Sequence, residues 1–160
     1  MEKYNNKLLN KYKIYKIDNL FYNKILINKL NNLYENKDNL ILFGKVGSGK
    51  TSIINLLKKK YKTYLQLSNF NSKGYDYIMN TINDFIKQKK DIVKIIFFDN
   101  LDIISNKAQY IISDIINVQN CKIVISCEDI NNIIESIQSN CIIVKLFIKK
   151  YILFNNLKDI

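Results

Sequence analysis

The run "LILFGKVGSGKTS", Leu40 to Ser52, limits what this chain can fold into more than any other feature. An apolar stretch stops at Gly44, and the spacing Gly44-x-x-x-x-Gly49-Lys50-Thr51 follows. Ile53, Ile54, Leu56 and Leu57 then repeat with helical period, and Lys58 to Lys60 fall in the last turn, where cations suit the helix dipole. Strand, glycine loop and helix in this order form the setting of a phosphate loop. Glycine lets the backbone curl so that its N–H groups converge on an anion, and the helix start adds the positive end of its dipole. On this reading Gly44, Lys45, Val46, Gly47, Ser48, Gly49, Lys50, Thr51 and Ser52 bind the nucleotide. Lys50 reaches the β- and γ-phosphates, and Thr51 offers its hydroxyl to Mg²⁺.

Such a site needs a second contact to the metal from an acid at the end of a nearby strand. "KIIFFD" supplies Asp99 in that position. Asp102 reads as a solvated loop acid or as the cap of the helix after it. The remaining chain alternates. Strands are expected at 39–43, 61–68, 93–99, 122–127 and 141–147, and helices over 51–60, 75–86, 108–116 and 131–138. Several strands are continuous apolar runs separated by helices, which predicts a parallel sheet covered on both faces in an α/β sandwich. Residues 1–38, with Leu20, Ile25, Ile27, Leu30 and Leu33 at helical spacing, predict one or two short helices ahead of it.

Composition narrows the chemistry. Among 160 residues, 48% are hydrophobic and 24% charged, enough for one domain with a core. The net charge is +11, carried by 25 Lys with no Arg. Two sources of that charge stand side by side. One is a face for nucleic acid. The other is a genome rich in A/T codons, which also fits 24 Asn, 30 Ile and 11 Tyr. The absence of His excludes a Ser-His or Cys-His catalytic pair and a His-ligated zinc. Cys121, Cys127 and Cys141 are odd in number, lack Cys-x-x-Cys spacing and lie in or beside apolar runs, which predicts buried reduced thiols in a reducing, intracellular compartment. The first ten residues carry no signal-peptide core, and no apolar run reaches the ~18 residues of a membrane span.

The chain resembles the small subunits of replication factor C, the AAA+ sliding-clamp loader of eukaryotes, archaea and some large DNA viruses. "EKYNNKLL", Glu2 to Leu9, is similar to the family's opening Glu-Lys-Tyr-Arg-Pro-Lys-x-Leu. The phosphate-loop run, "LQLSNFNSKGYD" from Leu65 and "KIIFFDNLDIISNKAQ" from Lys94 resemble the family's next segments in order. "SCEDINNIIESIQSNC", Ser126 to Cys141, matches without a gap the segment that ends Ile-Ile-Glu-Pro-Ile-Gln-Ser-Arg-Cys. The resemblance implies a P-loop NTPase of the AAA+ core type, a three-layer sandwich on a five-stranded parallel sheet. It also implies ATP and Mg²⁺ as cofactors. The partners implied are related clamp-loader subunits, a sliding clamp and DNA, at a nuclear or viral replication site.

The departures bear on catalysis. The family's base after the strand Asp is Glu, and here it is Asn100. The first sensor Asn becomes Glu128, and the arginine finger, which reaches a neighbouring subunit's ATP, becomes Asn140. An amide holds a water but takes no proton from it at neutral pH, and Lys lacks the planar fork of Arg. The opening Arg and Pro become Asn5 and Asn6. The resemblance divides the chain into an N-terminal helical segment (1–38), a nucleotide-binding core (39–148) and the start of a lid (149–160). The resemblance implies that the chain stops where the family's lid would start, so that the second sensor and the oligomerising collar are missing from it. Three functions follow: an ATP-binding subunit with weak or lost hydrolysis, a competent clamp-loader ATPase with Glu128 as replacement base, or a non-catalytic interaction module.

Overall fold

The computed structural model describes residues 28, 30, 38–61, 63–68, 75–88, 94–116 and 121–147. The expected opening segment, the helices of 1–38 apart from Asn28 and Leu30, and the lid start at 149–160 lie outside the described residues. Five strands form one all-parallel sheet: β1 (Asn39–Phe43), β2 (Tyr64–Leu67), β3 (Lys94–Phe98), β4 (Cys121–Cys127) and β5 (Cys141–Lys145). The order across the sheet is β2-β3-β4-β1-β5. The helices are α1 (Lys50–Lys60), α2 (Tyr75–Lys87), α3 (Asn106–Ile116) and α4 (Glu135–Gln138).

Alternation along each strand explains the continuous apolar runs. Successive side chains point to opposite faces. Ile41, Ile96, Phe98, Ile123 and Ile125 pack with Ile82 and Phe85 of α2, Ile112, Ile115 and Ile116 of α3, and Ile137 of α4. Leu40, Leu42, Ile95, Phe97 and Val124 pack with Ile53, Ile54, Leu56 and Leu57 of α1 and with Leu30. The sheet is therefore the middle of three layers, as the sequence predicts.

Two buried polar residues tie the layers. Asn39 donates its amide to Ile116 O at 3.1 Å and accepts the N–H of Ile123 at 2.9 Å, fixing the end of α3 against β1 and β4. Lys94, also buried, donates to the carbonyls of Ile86 and Gln88 and so places a cation at the C-terminal end of α2.

The structure corrects two expected elements. The strand expected over 61–68 starts at Tyr64, because Tyr61 caps α1 by donating its N–H to Leu57 O at 2.8 Å. The helix expected over 131–138 is two short pieces, a 3-10 turn at Ile130–Asn132 and α4. Ile134 between them is extended (ψ 147), because its N–H donates to Gln109 Oε1 at 2.9 Å rather than to a carbonyl one turn earlier. Gln109 is fully buried, and its Nε2 donates to Asn132 O at 2.8 Å and Ile104 O at 3.3 Å. Gln138 adds bonds from its own Nε2 to Ile130 O and Ile133 O. Gln109→Leu keeps the volume and strands three main-chain groups. It is expected to destabilise the fold by about 3 kcal/mol, read as a lower urea midpoint at constant slope.

Candidate nucleotide-binding site

The loop after β1 is shaped by space at one end and by conformation at the other. A Cβ at Gly44 would lie 2.4 Å from the carbonyl oxygen of Leu146 and 2.9 Å from Ser48 Oγ. Gly44 is held there by its N–H to Cys127 O at 3.2 Å, while Leu146 N–H reaches Phe43 O at 2.8 Å. Gly47 (φ 79) and Gly49 (φ 92) take left-handed backbone that other residues adopt at a cost. The turn closes with Ser48 N–H on Lys45 O at 3.1 Å, and α1 begins at Lys50.

Lys50 is buried, and its ammonium donates to the carbonyls of Gly44 and Lys45. Carbonyl dipoles solvate this cation without cancelling its charge, so an anion in the loop is favoured. Val46 is 80% exposed at the crest of the loop, and Lys45, Thr51 and Ser52 are exposed beside it.

Strand order brings the second half of the site alongside. β4 lies between β1 and β3, so Phe43 pairs with Cys127 and Phe98 with Ile125. Asp99, half-buried, comes just past the end of β3, and its N–H donates to Leu67 O at 3.1 Å. Asn100 is exposed and left-handed (φ 54). Glu128 is an exposed carboxylate just past the end of β4. The phosphate loop, Asp99, Asn100 and Glu128 thus share the carboxyl end of the sheet, where open α/β sheets bind ligands. Asn140 does not join them. It precedes Cys141, which pairs with Asn39 at the opposite end of the sheet, and its amide folds back on Ser136 O at 2.8 Å.

A hydroxyl and a carboxylate are hard oxygen ligands, the type Mg²⁺ takes together with phosphates and water. Among the described residues no group of three or more Cys, Asp or Glu could hold a metal. Thr51 and Asp99 carry oxygens of this type, Thr51 at the start of α1 and Asp99 just past the end of β3.

Three residues hold roles that their local sequence does not assign. Asp102 is neither a free loop acid nor the cap of α3. Its Oδ2 accepts the N–H groups of Glu128 (2.9 Å) and Asp129 (3.2 Å), so it anchors the turn after β4. Ser126 bridges Asp99 and Asn100. A lone hydroxyl in the apolar strand "KIVISC" was the available signal for it. Gln109 had one too, since it lies three residues before Ile112 on the buried stripe of α3.

The thiols are reduced, with Cys121 and Cys127 buried and Cys141 half-buried. Burial pushes Cys121 up to about 11 against the pull of Lys94, and pushes Cys141 up to about 12. Cys127 is raised to about 12 by burial first and by Asp102 and Asp129 next, with Lys50 opposing. At pH 8 alkylation of the folded protein should run at least about 100-fold slower than in urea, since the thiolate is the nucleophile. Unfolding lets these thiols ionise near 9.0, so stability is held below that pH and falls as pH rises from about 9 toward 11–12.

Comparison with known proteins agrees with this fold. The model of the family described as "Sigma-54 interaction domain" matches residues 22–151. The replication factor C small subunit of Picrophilus torridus is 33% identical over 118 residues, covering 67% of this chain and 37% of that protein. That of Methanococcus maripaludis is 32% identical over 139 residues, covering 76% and 42%. The chain belongs to this AAA+ P-loop family, among relatives of the replication factor C small subunits. The replication factor C resemblance of the phosphate loop and of the Ser126–Cys141 segment therefore rests on overall similarity as well as on motifs. The fold recurs in the Thermotoga maritima RuvB Holliday junction branch migration motor (TM-score 0.67, 15% identity, 84% of this chain and 48% of that one). It recurs also in a DNA polymerase III gamma subunit-related protein of the same organism (TM-score 0.63, 14% identity, 79% and 47%). The chain spans well under half the length of the two replication factor C relatives. Among the described residues no helix is long and apolar enough to cross a membrane.

Proposed function

We propose that this chain is an ATP-binding, clamp-loader-type AAA+ subunit of DNA replication that hydrolyses its nucleotide slowly or not at all. The observation that carries the reading is the pairing of a formed phosphate loop, with Lys50 buried on carbonyls, and an Asp99 whose neighbour is Asn100. Gly44 to Ser52 hold the phosphates, and Thr51 and Asp99 hold Mg²⁺. Asn100 orients water without accepting its proton. Asn140 stands where a neighbour's ATP would meet an arginine finger, and an amide brings no charge to it. Related subunits, a sliding clamp and primed DNA are the partners this reading assigns.

Glu128 favours a second reading, because it sets an exposed carboxylate at the same end of the sheet. If Glu128 is the base, turnover with partner subunits, clamp and primed DNA falls in Glu128→Gln. A chain that binds no ATP yet captures a related subunit is the non-catalytic interaction module. Melting temperature with and without Mg-ATP, followed by phosphate release alone and with partners, separates these outcomes. A wild type without an ATP-dependent shift overturns the proposal.

A further inference from the structure

Ser126 occupies the seam between β3 and β4, outside the phosphate loop, and is not itself one of the three departures from the replication factor C pattern. It is fully buried. Its hydroxyl donates to Asp99 Oδ1 at 2.5 Å and accepts the main-chain N–H of Asn100 at 2.9 Å. Asn100 is the one non-glycine residue with positive φ among the described residues.

We propose that Ser126 is the positioning residue for the magnesium side of the site, fixing the Asp99 carboxylate and the left-handed turn at Asn100 with one hydroxyl. This rests on the nucleotide-binding reading. A serine hydroxyl has one hydrogen and two lone pairs. Giving the hydrogen to Asp99 leaves a lone pair for the Asn100 amide, so the two bonds reinforce one rotamer. The bond to a carboxylate is charge-assisted, which makes it the stronger of the two. It matters because the terminal torsion of Asp is broad. Without an outside bond the Asp99 oxygens sample many orientations, whereas Mg²⁺ demands near-octahedral placement of its ligands. The bond engages Oδ1 and leaves Oδ2 as an acceptor for another ligand. The second bond holds a backbone turn that is unfavourable for an L-residue and least so for Asn. Phosphate binding, by contrast, rests on the loop and Lys50. Loss of the hydroxyl is therefore felt as weaker magnesium binding, with phosphate contacts kept.

The test uses the full chain. ATP-dependent melting shifts are measured over a range of MgCl₂ and also in EDTA. In Ser126→Ala the magnesium concentration at half-maximal shift rises about tenfold, the loss typical of a partner that orients a metal ligand. The shift in EDTA matches wild type. Hydrogen exchange on nucleotide-free protein shows faster exchange of the Asn100 amide, with β3 and β4 otherwise unchanged. The pair Ser126→Thr and Ser126→Val, alike in shape except for the hydroxyl, repeats the comparison if Ser126→Ala does not fold. The proposal is overturned by a wild-type magnesium midpoint in the variant that lacks the hydroxyl. It is overturned equally by a parallel loss of binding in EDTA. A wild type with no ATP response in either condition overturns the nucleotide-binding reading, and the role of Ser126 with it.

Discussion

Lys50→Ala is expected to abolish the ATP-dependent rise in melting temperature. Ligand at about a hundred times its Kd stabilises a protein by about 2.7 kcal/mol, or several degrees for a domain of this size. Lys50 is 8% exposed, and its ammonium sits on the carbonyls of Gly44 and Lys45, within the loop that would surround the phosphates. A bond from this ammonium to a phosphate would be charge-assisted. Losing it costs about 3 kcal/mol, which weakens binding by about 100-fold. The chain carries +11, so some ATP is attracted without a site. Lys87→Ala removes the same charge from the exposed end of α2 and controls for that effect. If both variants lose the shift equally, the binding is not at the loop. Calorimetry with ATP in 150 mM salt gives the same comparison with surface attraction screened, where the Debye length is about 8 Å.

Gly44→Ala is the second large effect, and it acts on the fold before it acts on the ligand. The new methyl would lie 2.4 Å from a main-chain oxygen, that of Leu146, and backbone cannot swing aside as a side chain does. Leu146 is itself bonded to Phe43, and Gly44 to Cys127, so the ends of β1, β4 and the segment after β5 must separate together. Overpacking of this kind costs about 3 kcal/mol. The loss should appear as a lower urea midpoint and, in the folded fraction, as weaker ATP binding, because the Gly44 carbonyl that holds Lys50 moves with it. Gly47→Ala is the contrast. Its Cβ meets nothing within 4 Å, and only the positive φ opposes it, at about 1–2 kcal/mol. If the two variants are equally stable, the crowding at Gly44 is not what requires glycine there.

Much of the fold could be read locally. The phosphate loop needed only Gly44, Gly49, Lys50 and the strand and helix on either side. The parallel sheet followed from strands such as "KIIFF", whose residues are buried on both faces and therefore show no alternation. Where local reading failed, a distant partner had intervened. The helix expected over 131–138 broke because Gln109, some 25 residues away in sequence, takes the N–H of Ile134. Asp102 resembled a solvated acid because its two partners, the N–H groups of Glu128 and Asp129, lie on another strand's end.

The amino-acid sequence by itself determined the parts: a phosphate loop, an acid at the end of a strand, five strands with helices between them, and Asn100, Glu128 and Asn140 at three positions tied to catalysis by resemblance. Those follow from spacing and residue type over short stretches. The tertiary structure decided how the parts meet. Nothing in an apolar strand specifies its neighbours, since runs such as "KIIFF" and "IVIS" offer similar surfaces on both faces and the same backbone hydrogen bonds at either edge. Only the packed order β2-β3-β4-β1-β5 puts Ser126 against Asp99, sets Glu128 beside the loop and sends Asn140 to the far end of the sheet.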